Sequence, residues 1–296
     1  MILVRLKGGL GNQMFQYAAA LALAKKHNTH VEFDLTLLND KTPYSDKVYR
    51  TFELGVFNLK INLAEEKIIQ YYNPERGSIF KRIKNKITKA IQRPIVYIEK
   101  THRFDEDFFL LPDNSCIVGA FQSEKYFLAI ADSVKRAFEF AVAFPKNILE
   151  LADRIENCNS VCIHVRRGDY VTNNLYRDLL GAMSAEYYMQ AFGFVTGVAE
   201  NAEIFIFSDD IEWCKSNLFF KQAVTYVGDV LAESNYQAEL FLMSKCRHFV
   251  ISNSTFGWWG AWLSSCEGKL VVAPKKWFKN GSKDGEDIVP KNWISI

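Results

Sequence analysis

Residues 160–169 read SVCIHVRRGD, an uninterrupted apolar run that ends in a charged loop. An apolar run without alternation is typical of a strand buried on both faces, as in a parallel sheet that is covered by helices. The loop carries Arg166, Arg167 and Asp169. Because ligands of such sheets bind outside the carboxyl ends of the strands, this stretch predicts both the fold class and the position of a site.

Strand and helix patterns alternate on the C-terminal side of this stretch. Helices are predicted over residues 184–196 and up to Lys245, the second with Ser234 and Gln237 at capping-box spacing. Strands are predicted over residues 203–207, 248–251 and 269–273. Such alternation predicts an α/β domain with a parallel sheet.

The N-terminal side begins with a strand, a helix and a second strand. Strands are predicted over residues 2–6, 30–34 and 116–120, and helices over residues 13–26 and 124–140. A glycine-containing loop over residues 8–12 joins the first strand to the first helix. The whole pattern predicts two Rossmann-like α/β domains, residues 1–145 and 146–296.

Composition excludes several classes of protein. The chain has 296 residues, of which 49% are hydrophobic, so it is neither disordered nor a disulfide-stapled miniprotein. Lys and Arg number 36 against 34 Asp and Glu, a net charge of +2, and we expect no nucleic-acid partner. We find no signal peptide and no run of roughly 18 apolar residues that could span a membrane. The six scattered cysteines are typical of reduced thiols in a cytoplasmic protein.

Arg166 and Arg167 are the strongest candidates for a binding site. Guanidinium groups suit phosphate oxygens, and a diphosphate leaving group gains negative charge as its bond breaks. Two cations at the end of a buried strand are costly without an anion, which favours a phosphate ligand. The structural alternative is an arginine–aspartate pair that closes the loop.

Other polar residues that follow strands each have two interpretations. Asp169 is either a general base for a hydroxyl nucleophile or the counter-ion of an arginine. His164 either contacts a nucleotide or is a core histidine, and Asp210 either accepts from guanine or caps the next helix. Ser254 and Thr255 either bind phosphate at a helix start or cap its N–H groups.

Three further patterns are interpreted first as structure. Trp258, Trp259 and Trp262 predict core packing, with sugar stacking as the alternative. The D-x-D pattern at residues 105–107 predicts a solvated acidic turn rather than a metal site. Residues 79–93 predict a basic amphipathic helix, which lies either in solvent or on an anionic membrane.

The glycine loop partly matches a dinucleotide-binding fingerprint. Gly9 and Gly11 fit G-x-G-x-x-G, and Asp34 ends the next strand near a ribose-binding position, but Met14 stands where the third glycine is needed. The loop is better interpreted as a glycine turn that presents Asn12 and Gln13 at a cleft. An NAD(P)-dependent oxidoreductase and a non-catalytic module that binds carbohydrate or a membrane surface remain as alternatives.

Three blocks together resemble the α-1,2-fucosyltransferases of glycosyltransferase family 11. They read GGLGNQMFQ at residues 8–16, HVRRGDY at residues 164–170 and SNSTFGWWGAW at residues 252–262. The resemblance implies a GT-B fold with an acceptor-side N-terminal domain and a C-terminal domain that holds GDP-L-fucose. It also implies inverting transfer of fucose to the 2-hydroxyl of a β-galactoside, free or lipid-linked, with no metal and no cofactor.

The resemblance assigns roles by position. Arg166 would hold the β-phosphate, and Asp169 and Asn12 complete the predicted catalytic set. The donor-binding set comprises His164, Arg166, Arg167, Asp210, Ser254, Thr255, Gly11 and Gln13. Such an enzyme would serve bacterial surface-polysaccharide synthesis in the cytoplasm, with residues 79–93 as the candidate for peripheral contact with the inner membrane.

Overall fold

The computed structural model describes residues 1–40, 48–73, 94–197, 199, 201–231, 235–279 and 285–296. The chain forms two compact units, Met1–Glu139 and Phe140–Ile296, so the division falls after Glu139 rather than after residue 145. The predicted basic helix over residues 79–93 lies outside the described residues. Among the helices that are described, none has the length and apolar character needed to cross a membrane.

The first unit contains a four-stranded parallel sheet in the order β2-β1-β4-β3. Its strands are β1 Ile2–Arg5, β2 Val31–Asp34, β3 Ile95–Ile98 and β4 Ser115–Val118. Its helices are α1 Leu10–Lys26, α2 Glu66–Tyr72 and α3 Ala131–Ala137. Short 3₁₀ segments cover Leu54–Val56, Glu106–Leu110, Glu124–Tyr126 and Leu128–Ile130.

The turn between β1 and α1 follows from its glycines. Gly8 has φ +80°, a conformation that side chains with a Cβ rarely adopt, and Gly9 is the extended residue before the helix. Helix α1 then buries Ala18, Ala19 and Ala20 completely, because small side chains let the helix lie close to the sheet. The turn thus brings Asn12 to the carboxyl end of β1.

The helix predicted over residues 124–140 is wrong in its first half. The structure has two 3₁₀ segments there, and helix α3 begins only at Ala131. Phe127 leaves the helical region at φ −141° and buries its ring, at 1% exposed. Burial of this aromatic ring overrides the local helix preference.

The second unit contains a six-stranded parallel sheet in the order β10-β9-β8-β5-β6-β7. Its strands are β5 Ser160–Val165, β6 Glu203–Ser208, β7 Val224–Tyr226, β8 His248–Ile251, β9 Val271–Ala273 and β10 Ile294–Ser295. Its helices are α4 Lys146–Glu156, α5 Gly168–Thr172, α6 Asn174–Leu179, α7 Ala185–Thr196, α8 Ile211–Asn217, α9 Val227–Val230, α10 Tyr236–Lys245 and α11 Thr255–Leu263.

Strand order in this sheet locates a crevice. The chain runs from β5 outward to β6 and β7, and then continues on the other side of β5 with β8, β9 and β10. The order therefore reverses between β5 and β8, and the crevice outside their carboxyl ends is where ligands of such sheets bind. Every residue of β5 and of β8 is buried, as the apolar runs predict.

Helix α10 begins differently from the prediction. Its N-cap is Asn235, whose side chain accepts a hydrogen bond from the Ala238 N–H. Ser234, the predicted capping-box partner of Gln237, lies outside the described residues. Asparagine and serine are comparable N-caps, and the spacing alone does not choose between adjacent candidates.

Candidate functional site

The polar residues of the second unit meet at one edge of its sheet. His164 lies opposite Phe207 on one side and Ile251 on the other, so β5, β6 and β8 end side by side. The loops that follow these strands carry Arg166, Asp209 and Ser254. The structure thus brings together the side chains that the sequence predicted around the strand ends.

Arg166 is bound by two carboxylates. Its Nε and Nη2 donate to Asp169 Oδ1 at 3.0 and 2.6 Å, and its Nη1 lies 3.1 Å from Asp209 Oδ2. Burial alone would lower the pKa of Arg166, but Asp209 and Asp169 together raise it above its ordinary value. The side chain keeps 28% of its surface exposed, so the ion pairs do not seal Arg166 from a ligand.

Arg167 is fixed by different groups. Its guanidinium carbon lies 4.1 Å from the ring centre of Trp213, and its Nε donates to Asp210 Oδ2 at 3.0 Å. Its backbone N–H donates to Asp209 Oδ1 at 2.8 Å. Asp210 also caps helix α8 by accepting from the Trp213 N–H. The structural interpretation of Asp210 as a helix cap is therefore confirmed.

These contacts correct one step in the sequence argument. The two arginines were expected to need a ligand anion, but Asp169, Asp209 and Asp210 already compensate their charge. The arginine–aspartate alternative is therefore present in the structure. It does not exclude a phosphate ligand, because Arg166 keeps an exposed surface beside the crevice.

His164 is held at the end of β5 as a neutral side chain. Its Nδ1 lies 3.0 Å from Ser252 Oγ at the end of β8, and only 5% of the residue is exposed. Burial, followed by the charge of Arg166, lowers its pKa to about 3. A Cβ on Gly257 would lie 2.6 Å from His164 Nδ1, so the glycine allows α11 to approach the imidazole closely.

The start of helix α11 lies at the same edge of the sheet and has no side-chain cap. Ser254 is its N-cap residue, yet its side chain makes no capping hydrogen bond, so the predicted capping role is wrong for Ser254. Thr255 begins the helix. A helix start whose N–H groups have no side-chain cap favours an anion, since the helix dipole and the N–H groups both point toward it.

The loop that leads into α11 is anchored from behind. Asn253 is 1% exposed, and its Nδ2 donates to the carbonyls of Leu180, Gly181 and Trp277. Trp258 and Trp259 are fully buried and Trp262 is 7% exposed, which confirms the prediction of core packing. The three tryptophans therefore offer no stacking surface for a sugar.

Sequence reasoning missed Glu239 at this edge. It lies in the first turn of α10, and burial, followed by the charge of Asp209, raises its pKa to about 7. The charge of Arg166 lowers the pKa of Glu239, so both members of the Arg166–Asp209 pair affect this carboxyl group. No local pattern marks Glu239, because its neighbours come from distant parts of the chain.

The polar groups around the glycine loop of the first unit are already bonded to other groups of the protein. The N–H of Leu10, at the start of α1, donates to the carboxylate of Glu53. Asp34 has no exposed surface and accepts from Arg5 Nε at 2.6 Å and from the Thr36 N–H at 2.9 Å. The positions that a dinucleotide phosphate and ribose would need are therefore occupied, and the features that suggested an oxidoreductase have structural roles.

Gln13 and Gly11 are buried in this unit. The Gln13 amide donates to the carbonyls of Gly8 and Thr51 and accepts from the Glu53 N–H. Gln13 thus ties the glycine loop to residues 51–53 and has 0% of its surface exposed. Asn12, the residue before it, is half-buried.

The D-x-D pattern is a turn, as predicted. Asp105 caps a 3₁₀ segment by accepting from the Asp107 N–H, and it also accepts from the Tyr97 hydroxyl. Among the described residues, no cluster of three or more His, Cys, Asp or Glu side chains could hold a metal ion.

Comparisons with known sequences agree with the three blocks. The sequence model of glycosyl transferase family 11 matches residues 1–296. The chain is 33% identical over 313 residues to the O-antigen biosynthesis glycosyltransferase WbnK of Escherichia coli, with 98% of this chain and 99% of the relative covered. It is 30% identical over 303 residues to an alpha-1,2-colitosyltransferase of Escherichia coli, with coverage of 100% and 98%.

A comparison of structures supports the fold. The chain is similar to a mutant of Arabidopsis thaliana FUT1 that was solved in complex with GDP, with a TM-score of 0.52 and 13% sequence identity. The match covers 98% of this chain and 74% of that one. At this identity the likeness concerns the fold alone, and it confirms an α/β fold with two Rossmann-like units of the GT-B type.

Proposed function

Because the chain belongs to glycosyl transferase family 11, we propose that it is an inverting α-1,2-fucosyltransferase. It moves L-fucose from GDP-β-L-fucose to the 2-hydroxyl of a β-galactoside in O-antigen or capsule synthesis. The observation that carries the proposal is the fixed guanidinium of Arg166 beside the uncapped start of α11, at the crevice between β5 and β8. Each of these two groups favours the binding of phosphate oxygens.

The proposed donor site uses both charge and hydrogen bonds. Arg166 binds the β-phosphate, and Ser254 and Thr255 hold diphosphate oxygens at the start of α11. The neutral imidazole of His164 and the carboxylate of Asp210 contact the guanosine. Arg167 holds the Asp210 carboxylate in place through their ion pair. Each of these groups lies at the carboxyl edge of the second sheet, which supports the assignment of this unit to the donor.

The proposed reaction is a single displacement at the anomeric carbon of fucose. The acceptor oxygen forms a bond to this carbon as the bond to the β-phosphate oxygen breaks, and the electron pair leaves with GDP. The proton of the acceptor hydroxyl passes to Asp169 or, if Asp169 is only a counter-ion, to solvent water. Inversion of the β-linked donor gives an α-linked product. Arg166 stabilises the negative charge that develops on the leaving phosphate. Electrostatic stabilisation of this kind is usually the largest single contribution to lowering the barrier.

Asp169 has two candidate roles in this reaction. Its two hydrogen bonds from Arg166 favour the counter-ion role, in which it orients the guanidinium. A general base would instead accept the proton of the acceptor hydroxyl. Asp169→Asn separates the two, because a normal kcat in a normally folded variant would eliminate the base role.

The first unit contributes Asn12 to the proposal. We assign Asn12 to the reacting sugar or acceptor, and the unit as a whole to the acceptor side. Gly11 and Gln13 are buried with protein partners. We propose that they act on the donor indirectly, by fixing the conformation of the glycine loop that carries Asn12.

Colitose is a second candidate for the transferred sugar, because a relative of full length is an alpha-1,2-colitosyltransferase. Colitose is the 3-deoxy counterpart of fucose, so the two donors share their GDP and their anomeric centre. Competition between GDP-fucose and GDP-colitose for one limiting acceptor, measured as kcat/KM, would assign the preferred donor.

An acceptor screen tests the proposed function. The full chain is incubated with GDP-fucose and with lactose, N-acetyllactosamine or lacto-N-biose, and GDP release is measured. We expect release that depends on the galactoside, and NMR of the product should give an α-1,2 linkage. No GDP release with any galactoside from either donor, or thermal stabilisation by NADH in place of GDP, would contradict the proposal.

A further inference from the structure

Two side-chain amides meet at the carboxyl edge of the first sheet. Asn12 follows β1 and Gln122 follows β4, and these strands are neighbours although 110 residues separate the two side chains. Gln122 Nε2 donates to Asn12 Oδ1 at 2.7 Å.

This hydrogen bond determines which end of the Asn12 amide is available. Because Oδ1 is engaged as an acceptor, the Nδ2 group is the free end, and it has no partner among the described residues. The amide also lies over Gly8, where a Cβ would come within 2.5 Å of Asn12 Nδ2. In this arrangement the Asn12 amide has its N–H groups available as hydrogen-bond donors.

Gln122 is held in place at a cost. It is only 9% exposed, and its Oε1 is buried without a partner in the part of the chain that the structure describes. An unpaired buried carbonyl costs about 1–3 kcal/mol, so the position of Gln122 lowers stability and calls for an explanation.

Glu99 fixes the segment that carries Gln122. Its carboxylate accepts from the N–H groups of Ala120 and Phe121 at 2.6 and 3.0 Å. Phe121 has φ +52°, a strained conformation for a residue with a side chain. Strain of this kind persists only where the surroundings enforce it, and it concentrates at functional sites.

We propose that Gln122 is a positioning residue that holds the Asn12 amide by its oxygen, so that the Asn12 N–H groups donate to an oxygen of the reacting sugar or the acceptor. Glu99 supports this arrangement by holding the backbone before Gln122. The inference rests on the proposed function, because it specifies how Asn12 would contact the reacting sugar or the acceptor.

A double-mutant cycle tests the inference. The variants Asn12→Ala, Gln122→Ala and the double variant are compared in GDP release from GDP-fucose, with the best acceptor of the screen. We expect each single variant to lose about tenfold or more in kcat, which corresponds to one oriented hydrogen bond. In the Asn12→Ala background, Gln122→Ala should cause no further loss. Gln70→Ala, which removes an amide from the surface of α2, should leave kcat unchanged.

Gln122→Glu provides a second test that preserves shape. An ionised carboxylate cannot donate to Asn12 Oδ1, but a protonated one can. We expect the ratio of the variant kcat to that of the wild type to rise as the pH falls, with urea unfolding at each pH showing that both proteins stay folded.

The outcomes separate the two proposals. A wild-type kcat for Asn12→Ala overturns both the role of Asn12 and this inference. Loss of kcat in Asn12→Ala alone, with normal kcat in both Gln122 variants, overturns the inference and leaves the proposed function intact. Losses that multiply in the double variant, or a pH-independent ratio for Gln122→Glu, also overturn it.

Discussion

Arg166 is the residue whose removal should affect catalysis most. We expect Arg166→Ala to lower kcat by roughly 10²–10³-fold, as the loss of one group that stabilises a leaving anion does elsewhere. GDP release measured under donor saturation checks this. Arg154→Ala is the matched control, because Arg154 pairs with Glu203 on the protein surface, and its kcat should stay normal. Near-normal turnover of Arg166→Ala would remove Arg166 from the mechanism.

Glu239 should make stability depend on pH. Its pKa is raised to about 7, so between its ordinary value of 4.5 and about 7 the folded protein keeps a proton that the unfolded chain releases. Stability contributed by this proton is present below that window and is lost as the pH rises through it. We expect Glu239→Gln to be more stable relative to the wild type at pH 8 than at pH 5, by about 1–3 kcal/mol.

Urea unfolding of both proteins at the two pH values measures this difference. A free-energy difference between Glu239→Gln and wild type that is the same at pH 5 and pH 8 would contradict the assignment. The buried histidine at the same edge acts in the opposite direction, because a lowered pKa makes its contribution disappear as the pH falls below 6.5. For this reason the comparison is made between variants and not along one pH profile.

At the scale of the element, two serines at helix starts should behave differently. Ser254 makes no capping bond at α11, whereas Ser184 caps α7 by accepting from the Tyr187 N–H. We expect Ser184→Ala to cost about 1 kcal/mol of stability and to leave GDP affinity unchanged. Ser254→Ala should change stability by less than about 0.5 kcal/mol but weaken GDP binding about tenfold.

Calorimetric titration with GDP and urea unfolding measure the two quantities for both variants. A Ser254→Ala variant that loses stability and keeps its GDP affinity would contradict the proposed phosphate contact and indicate a purely structural role for Ser254. The pair is informative because the same chemical change is made at two helix starts of one unit.

Strand length explains how much of the fold could be predicted. The bounds of β5 and β8 follow directly from their apolar runs. Strands β7 and β10 have three and two residues, which is too short for a periodic pattern, and β3 is an edge strand whose terminal isoleucines are exposed. Such strands form because a neighbouring strand supplies hydrogen bonds. The sequence of the short segment does not show which strand will lie beside it.

The candidate site was predictable where its residues follow strands. The pairing of Arg166 with Asp209 could have been expected, because Val165 and Ser208 lie opposite each other on adjacent strands. Glu53, Gln122 and Glu239 could not, since each reaches its partners through contacts between distant segments. Prediction from sequence therefore found the groups that follow strands and missed those that distant segments bring to them.

At the scale of the whole molecule, GDP should protect one unit selectively. If the second unit holds the donor, GDP at 100 times its Kd stabilises that unit by about 2.7 kcal/mol. We expect slower hydrogen exchange in the ends of β5, β6 and β8 and in the first turn of α11, with no change in the loop over residues 8–12. Mass spectrometry of peptides after exchange measures this. Protection confined to the first unit would contradict the assignment of domain roles.

The carboxylates around Arg166 also bear on how quickly product departs. Asp169 and Asp209 are tethered competitors for the guanidinium, present at a high effective concentration that no dilution removes. A bound diphosphate shares the guanidinium with them, so their negative charges offset part of its electrostatic attraction. As GDP leaves, the same carboxylates continue to neutralise the guanidinium. We therefore expect a short residence time for GDP, which suits an enzyme whose spent nucleotide must vacate the crevice in every cycle.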